Sequence, residues 1–333
     1  MTTPQTALDV LRQRTIVDCD TMDEQVAKTF GPFQDCTSNQ AIAFGELSKP
    51  EHKDLITASV KEAIELSPNF PGPSVEELAV EIATIKLALK IAPHITGSIH
   101  IQTNPYYAYS TTKTFTNAWR IIHLTQHLDP TIPPSRLCLK IPSTWEGLRA
   151  CALLEASGVR TLATTLFTRT QAARAAEVGC TYVAPYVNQL KVHFEPGSTD
   201  PATLLALCPQ IQTYYHAIGS QTKVLPASLT ATDEILSLAG VHHITIAPAL
   251  LQQLAALPAS AAAAVPNLFD AGPPLVDSEQ PVAFREDEEG FRLALSREGR
   301  GEGEGRLGQA VSIFCEMQDQ LVRMMGAVLK GGA

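Results

Sequence analysis

The chain has 333 residues, 45% of them hydrophobic and 18% charged, with 25 basic against 34 acidic side chains and a net charge of −9. That is enough apolar material for one large core and too little charge for a disordered polymer. The acidic balance, without a basic stripe, argues against nucleic acid as a partner, and no apolar run reaches the roughly 18 residues of a membrane span.

Residues Met1 to Arg14 hold no long apolar run, so no secretory signal is expected and the chain reads as cytoplasmic. The seven cysteines (Cys19, Cys36, Cys138, Cys151, Cys180, Cys208, Cys315) are odd in number and form no C-x-x-C pair. Several lie in apolar runs, as reduced thiols used as small core residues do. Zinc would need a tighter Cys/His cluster, and the neighbours His242 and His243 would face opposite sides of a strand. No metal is expected.

In chain order, short β-branched runs alternate with helical patterns. Strands are predicted at Thr15–Asp20, Asp35–Thr37, Ile95–Gln102, Arg136–Pro142, Arg160–Leu166, Thr181–Val187, Lys223–Ser228 and His242–Pro248. Near-continuous apolar strands between helices mean a parallel sheet covered on its outer face, and eight such units predict a closed (β/α)8 TIM barrel. Ser74-Val75-Glu76-Glu77 is a capping box opening a helix whose apolar face is Val75, Leu78, Ile82, Ile85 and Leu89. Ser143-Thr144-Trp145-Glu146 reads as a second box, opening a helix that runs through Ala156 to Gly158, and Glu146 is assigned to that cap. A further helix is predicted from Thr232, stopped by Gly240.

After the last strand, residues 255–306 form an alanine-rich, proline-rich and charged region. Ala255–Val265 predicts a helix, Gly272–Pro281 an exposed loop, and Arg285–Arg306 a solvated loop or helix edge. The tail over 307–330 is an amphipathic helix sharing Val311, Phe314, Gln318, Leu321, Met325 and Val328 on one face. That face fits either the end of the barrel or a second copy in a homodimer. No linker divides the chain, so residues 1–333 read as a single barrel domain.

Catalytic groups of such barrels sit at the C-terminal ends of strands. Lys140 stands there in Leu137–Pro142, and Asp20 closes Thr15–Asp20. An ammonium held between apolar walls loses hydration, which favours the neutral amine. A neutral amine attacks a ketone to give an iminium ion, and a nearby carboxylate removes the hydroxyl proton whose loss breaks the adjacent C–C bond. The plainer readings are a lysine snorkelling to water and an aspartate capping a helix.

At these residues the sequence resembles the transaldolase family. Leu139-Lys140-Ile141-Pro142-Ser143-Thr144-Trp145-Glu146-Gly147 is similar to its Schiff-base lysine segment. Thr15–Asp23 with Gln34–Asn39 is similar to its N-terminal signature, and Ile244–Leu251 to its last strand. The resemblance implies Lys140 as the Schiff-base lysine, Asp20 as acid/base, Thr37 and Asn39 as contacts to donor hydroxyls, and Thr164 as a holder of the catalytic water. It also implies a small carbonyl or sugar substrate and neither metal nor organic cofactor.

The departures from the family pattern bear on specificity. His100 is read at the position of the usual glutamate, which is glutamine in the fructose-6-phosphate aldolase subgroup. The plainer reading of His100 is a hydrogen-bonded core residue. Tyr186 replaces a phenylalanine, as in that subgroup; Ala184 replaces a serine and Leu162 an asparagine. The two arginines that clamp phosphate correspond to Gln189 and Thr230, and neutral side chains cannot supply their charge. Arg169 and the backbone N–H groups of the helix opening near Thr230 are candidate replacements, and the plainer readings are a surface arginine and an N-cap. The sequence therefore predicts a transaldolase-like enzyme moving a dihydroxyacetone-type unit. The alternatives are a class I aldolase for an unphosphorylated carbonyl compound and a retired barrel that binds a metabolite.

Overall fold

The computed structural model describes residues 5–270 and 283–331. Its centre is an eight-stranded parallel sheet in the order β7-β6-β5-β4-β3-β2-β1-β8. The strands are β1 Ile16–Asp20, β2 Cys36–Thr37, β3 Ile99–Gln102, β4 Leu137–Pro142, β5 Arg160–Leu166, β6 Tyr182–Pro185, β7 Lys223–Val224 and β8 His243–Ile246. Each falls within a predicted run and most are shorter. Between the two ends of the sheet, Thr245 N donates to Pro226 O at 3.3 Å and closes the ring. This is the (β/α)8 barrel, with helices between the strands.

Register sets which side chains share a level inside the barrel. Asp20 lies opposite Thr37, Gln102 opposite Lys140 and His100 opposite Cys138. Because inward side chains recur every second residue, Lys140 and Asp20 belong to the level nearest the C-terminal mouth. His100, Cys138 and Asp18 lie one level deeper.

The Ser74–Glu77 capping box forms as predicted and opens the helix Val75–Ile91. The second box does not form. The helix Trp145–Ala156 is capped by Thr144, whose Oγ1 accepts from Gly147 N, so the third helical position is a glycine. A Cβ at Gly147 would collide with the Pro142 carbonyl. Ser143 Oγ turns instead to Thr164 O at 2.7 Å, and Glu146 pairs with Arg292 at 2.5 Å. The helix Thr232–Ser237 ends ahead of Gly240, which takes a φ of +128° that a side chain would oppose.

The alanine-rich stretch is two helices, Pro248–Ala256 and Ala259–Ala263. The break at Pro258 lies where the backbone pairs with Thr6. Residues 272–281 lie outside the described residues. The stretch expected to be a solvated loop or helix edge contains the helix Glu288–Arg297, which buries Phe291 and Leu295. Two apolar residues at i, i+4 suffice to dock a charged helix, and Phe291 packs on Trp145 with ring centroids 5.4 Å apart.

The C-terminal helix runs over Glu302–Lys330 and buries Leu307, Val311, Phe314, Gln318, Leu321 and Met325. It packs on the helices Gln40–Leu47 and Val75–Ile91 and on the turn Leu190–His193, so it caps the barrel at the end where the strands finish. Buried Arg306 fastens it there through Asp200, at 2.8 Å. Among the described residues, no helix is long and apolar enough to cross a membrane.

Candidate active site

A cavity of about 270 Å³ opens at the C-terminal ends of the strands. Its walls include Asp20 from β1, Lys140 from β4, Asn39, Tyr186, Ser228 and Thr245, with Leu190, Phe194, Leu229 and Phe314 on the apolar side. Phe314 comes from the C-terminal helix, so the cap is part of the wall.

Lys140 is 2% exposed and belongs to no ion pair among the described residues. A buried amine without a carboxylate partner is costly as structure alone. Asp20 is held from below: Thr37 Oγ1 donates to Asp20 Oδ1 at 2.6 Å. With the Thr37 hydrogen used, the contact of 2.6 Å between Thr37 and Thr245 has Thr245 as donor. The chain Thr245, Thr37, Asp20 therefore fixes one carboxylate oxygen and leaves the other for chemistry.

The remaining sequence-derived candidates divide sharply. Asn39 lines the cavity, and its side-chain oxygen caps the helix Gln40–Leu47 through Ile42 N at 3.0 Å. Its Nδ2 is the atom left to a ligand. Tyr186 lines the cavity, and buried Thr164 Oγ1 donates to its hydroxyl at 3.3 Å. Gln189, Thr230 and Arg169 are not in the wall. Thr230 and Arg169 are exposed and Gln189 is half-buried.

Nor is an anion-binding nest left open at those three positions. Gln189 N donates to Asp200 Oδ2 at 2.8 Å. Thr230 N donates to Glu234 Oε2 at 2.7 Å, and the N-cap residue is Ala231, not Thr230. Arg169 N and Thr170 N donate to Glu298 at 2.6 and 2.9 Å. Each set of backbone donors that would greet a phosphate already holds a carboxylate of this chain.

His100 does not reach the cavity. It is fully buried, and its Nε2 lies 2.9 Å from Asp35 Oδ2. The reason is register: counting along β3, the residue level with Lys140 is Gln102. Gln102 is 6% exposed, and neither atom of its amide has a hydrogen-bond partner among the described residues. It borders a space of about 20 Å³ that it shares with Ser38 and Asn39, enough for one water-sized molecule. The signal that could have found Gln102 is the two-residue period of β3 extended to the strand end.

The level below the cavity is a buried polar cluster that the sequence reading did not anticipate. Asp18 Oδ2 and His243 Nδ1 are 2.8 Å apart. Asp18 Oδ1 accepts from Asp35 N at 2.8 Å, and Asp35 Oδ1 from Ser98 N at 2.7 Å. Rings of His100 and His243 flank Tyr182 at 5.1 and 5.2 Å. Burial raises the Asp18 carboxyl, against the opposing pull of His243. For Asp35 burial also pushes upward, but His100, Ser98 N–H and the Tyr182 hydroxyl outweigh it and hold the carboxyl well below the usual range. Ligand atoms of Asp18, Asp35 and His243 lie within 4.8 Å of one another. All four carboxylate oxygens already have partners, so this is a satisfied network more than a ligand set.

The family described as Transaldolase/Fructose-6-phosphate aldolase matches residues 17–293. A transaldolase of Gloeobacter violaceus is 33% identical over 262 residues, covering 75% of this chain and 65% of the relative. One of Thermosynechococcus vestitus is 31% identical over 256 residues (74% and 64%), and one of Methylococcus capsulatus 32% over 258 (75% and 77%). The chain thus spans just under two thirds of the length of the first two of these relatives. Because that family match spans residues 17–293, well over half of the chain, the chain belongs to the transaldolase/fructose-6-phosphate aldolase family.

Proposed function

We propose that this protein makes and breaks carbon–carbon bonds by aldol chemistry, holding a ketone-derived, dihydroxyacetone-type three-carbon unit on Lys140. The observation that carries the reading is the buried Lys140 in one cavity with a carboxylate, Asp20; among the described residues Lys140 has no ion-pair partner and the second Asp20 oxygen no hydrogen-bond partner.

The neutral Lys140 Nζ adds to the ketone carbon, and the carbonyl oxygen, taking one proton from the amine and one from solvent water, leaves as water to give an iminium ion. Asp20 takes the proton of the hydroxyl on the far carbon of the bond to be cut. The C–C bond breaks, its electron pair passes into the iminium to give an enamine, and an aldehyde departs. In transfer, the enamine carbon attacks a new aldehyde, and the Asp20 acid returns its proton to the resulting alkoxide. In cleavage, the enamine takes a proton instead. Either way, water adds to the iminium and frees the lysine. Tyr186, which receives the Thr164 hydrogen, keeps its own O–H for a substrate oxygen. Gln102, level with Lys140 and unpartnered, is better placed than His100 to hold the water.

Asp20→Asn is the test of this division of labour. The variant should still form the lysine adduct, while turnover falls by roughly 10²- to 10⁴-fold, the usual worth of a general acid/base. Loss of the adduct itself would remove Asp20 from the role given to it.

A second reading, an aldolase for unphosphorylated carbonyl compounds, is favoured by the carboxylates Asp200, Glu234 and Glu298 on the backbone donors where phosphate would sit. Gln189→Arg with Thr230→Arg should raise kcat/KM for a sugar phosphate, and raise it further when Glu234→Gln removes the competing charge. Equal values with and without Glu234→Gln, measured by initial rates, would refute the argument from self-occupied donors.

A further inference from the structure

One side chain in the cavity wall has no part in the chemistry above. His193, on the turn Leu190–His193, stands at the mouth between the apolar wall and Ser228. Its Nε2 is 2.9 Å from Ser228 Oγ, and Ser228 Oγ donates its one hydrogen to Asn188 O at 2.9 Å. Ser228 can then only accept from the ring, so Nε2 carries the hydrogen and Nδ1 is left as a lone-pair acceptor. Ser228 is held in place by the backbone, with φ at +59°. His193 is exposed at the rim; lost hydration on the side that meets the wall lowers the imidazole pKa, with Asp20 and Glu234 pulling partly back, so the neutral ring is favoured at neutral pH.

We propose that His193 is a specificity-determining residue that accepts a hydrogen bond from a hydroxyl of an uncharged aldehyde, the partner that departs from or joins the Lys140 adduct. The proposal rests on the Schiff-base reading of the site. A lone-pair acceptor suits a hydroxyl, which brings a hydrogen, and repels a phosphate dianion, which brings only oxygens. The wall around His193 continues the same selection, with Leu190, Phe194, Leu229 and Phe314 and, among the described residues, no guanidinium. Asp20 and Glu234 are the carboxylates whose charge acts on the ring, and both oppose a second anion.

The experiment uses the full chain with dihydroxyacetone as donor and three acceptors: glyceraldehyde, glyceraldehyde 3-phosphate and propanal. The wild type should prefer glyceraldehyde to both others in kcat/KM, by about fivefold or more over propanal, the worth of one hydrogen bond. His193→Phe should bring glyceraldehyde and propanal level, through KM more than kcat. His193→Gln, which offers an amide oxygen, should restore most of the preference. A preference for the phosphate, or a glyceraldehyde-to-propanal ratio unchanged in His193→Phe, would overturn the proposal. Borohydride trapping of dihydroxyacetone on the wild type runs alongside. A trapped adduct with an unchanged ratio brings down only the role of His193, and an absent adduct brings down the reading beneath it.

Discussion

Replacing Lys140 with alanine is expected to abolish turnover, by on the order of 10⁴-fold or more in kcat, as the loss of a covalent nucleophile does. The fold should survive. Lys140 makes no ion pair among the described residues, and it faces a cavity that a shortened side chain merely enlarges. Among the described residues no other lysine lines that cavity, so no second amine there is at hand to take over the adduct. Removing an unpaired buried amine also relieves a desolvation cost, so the denaturation midpoint should hold or rise. Activity within tenfold of wild type would show that the amine is structural.

His100→Ala is expected to do the opposite: a large loss of stability, about 3 to 5 kcal/mol, the cost of breaking a buried pair and leaving one charge alone. His100 and Asp35 have side chains 0% and 1% exposed. Asp35 would keep its burial and lose its strongest compensating partner. The pH dependence carries a definite sign. In the wild type the Asp35 carboxyl lies below its unfolded value, so its stabilisation is present above the unfolded pKa of about 3.9 and fades as pH falls below it. In His100→Ala, burial would prevail and push that carboxyl up, so protonation on acidification relieves the variant. The stability gap should therefore be widest at neutral pH and narrow towards pH 4, measured by urea unfolding at several pH values. A stable variant with lowered kcat would instead place His100 in the chemistry.

The barrel was legible because parallel strands buried on both faces read as apolar runs, and Leu137–Pro142 or Arg160–Leu166 admits little else. Asp20 and Lys140 were legible because they are charged residues at the ends of such runs. The level of His100 was not, since it depends on the register between β3 and β4, and a shift of two residues keeps the same face. Glu146 satisfied a cap pattern that Thr144 displaced by one position. The cluster of Asp18, Asp35, His100, Tyr182 and His243 is assembled from stretches distant in sequence, and only the alternation Asp18, Asp20 hinted that a second carboxylate points inward. His193 and Gln102 owe their meaning to neighbours: Ser228 for the first, the level of Lys140 for the second.

The most direct measurement is borohydride trapping with dihydroxyacetone, followed by mass spectrometry of the intact chain and of its peptides. One reduced adduct per chain is expected, borne by the peptide that contains Lys140 and missing from Lys140→Ala. An adduct on another lysine, or none with this ketone and with fructose 6-phosphate, would contradict the assignment of Lys140 as the residue that carries the reaction.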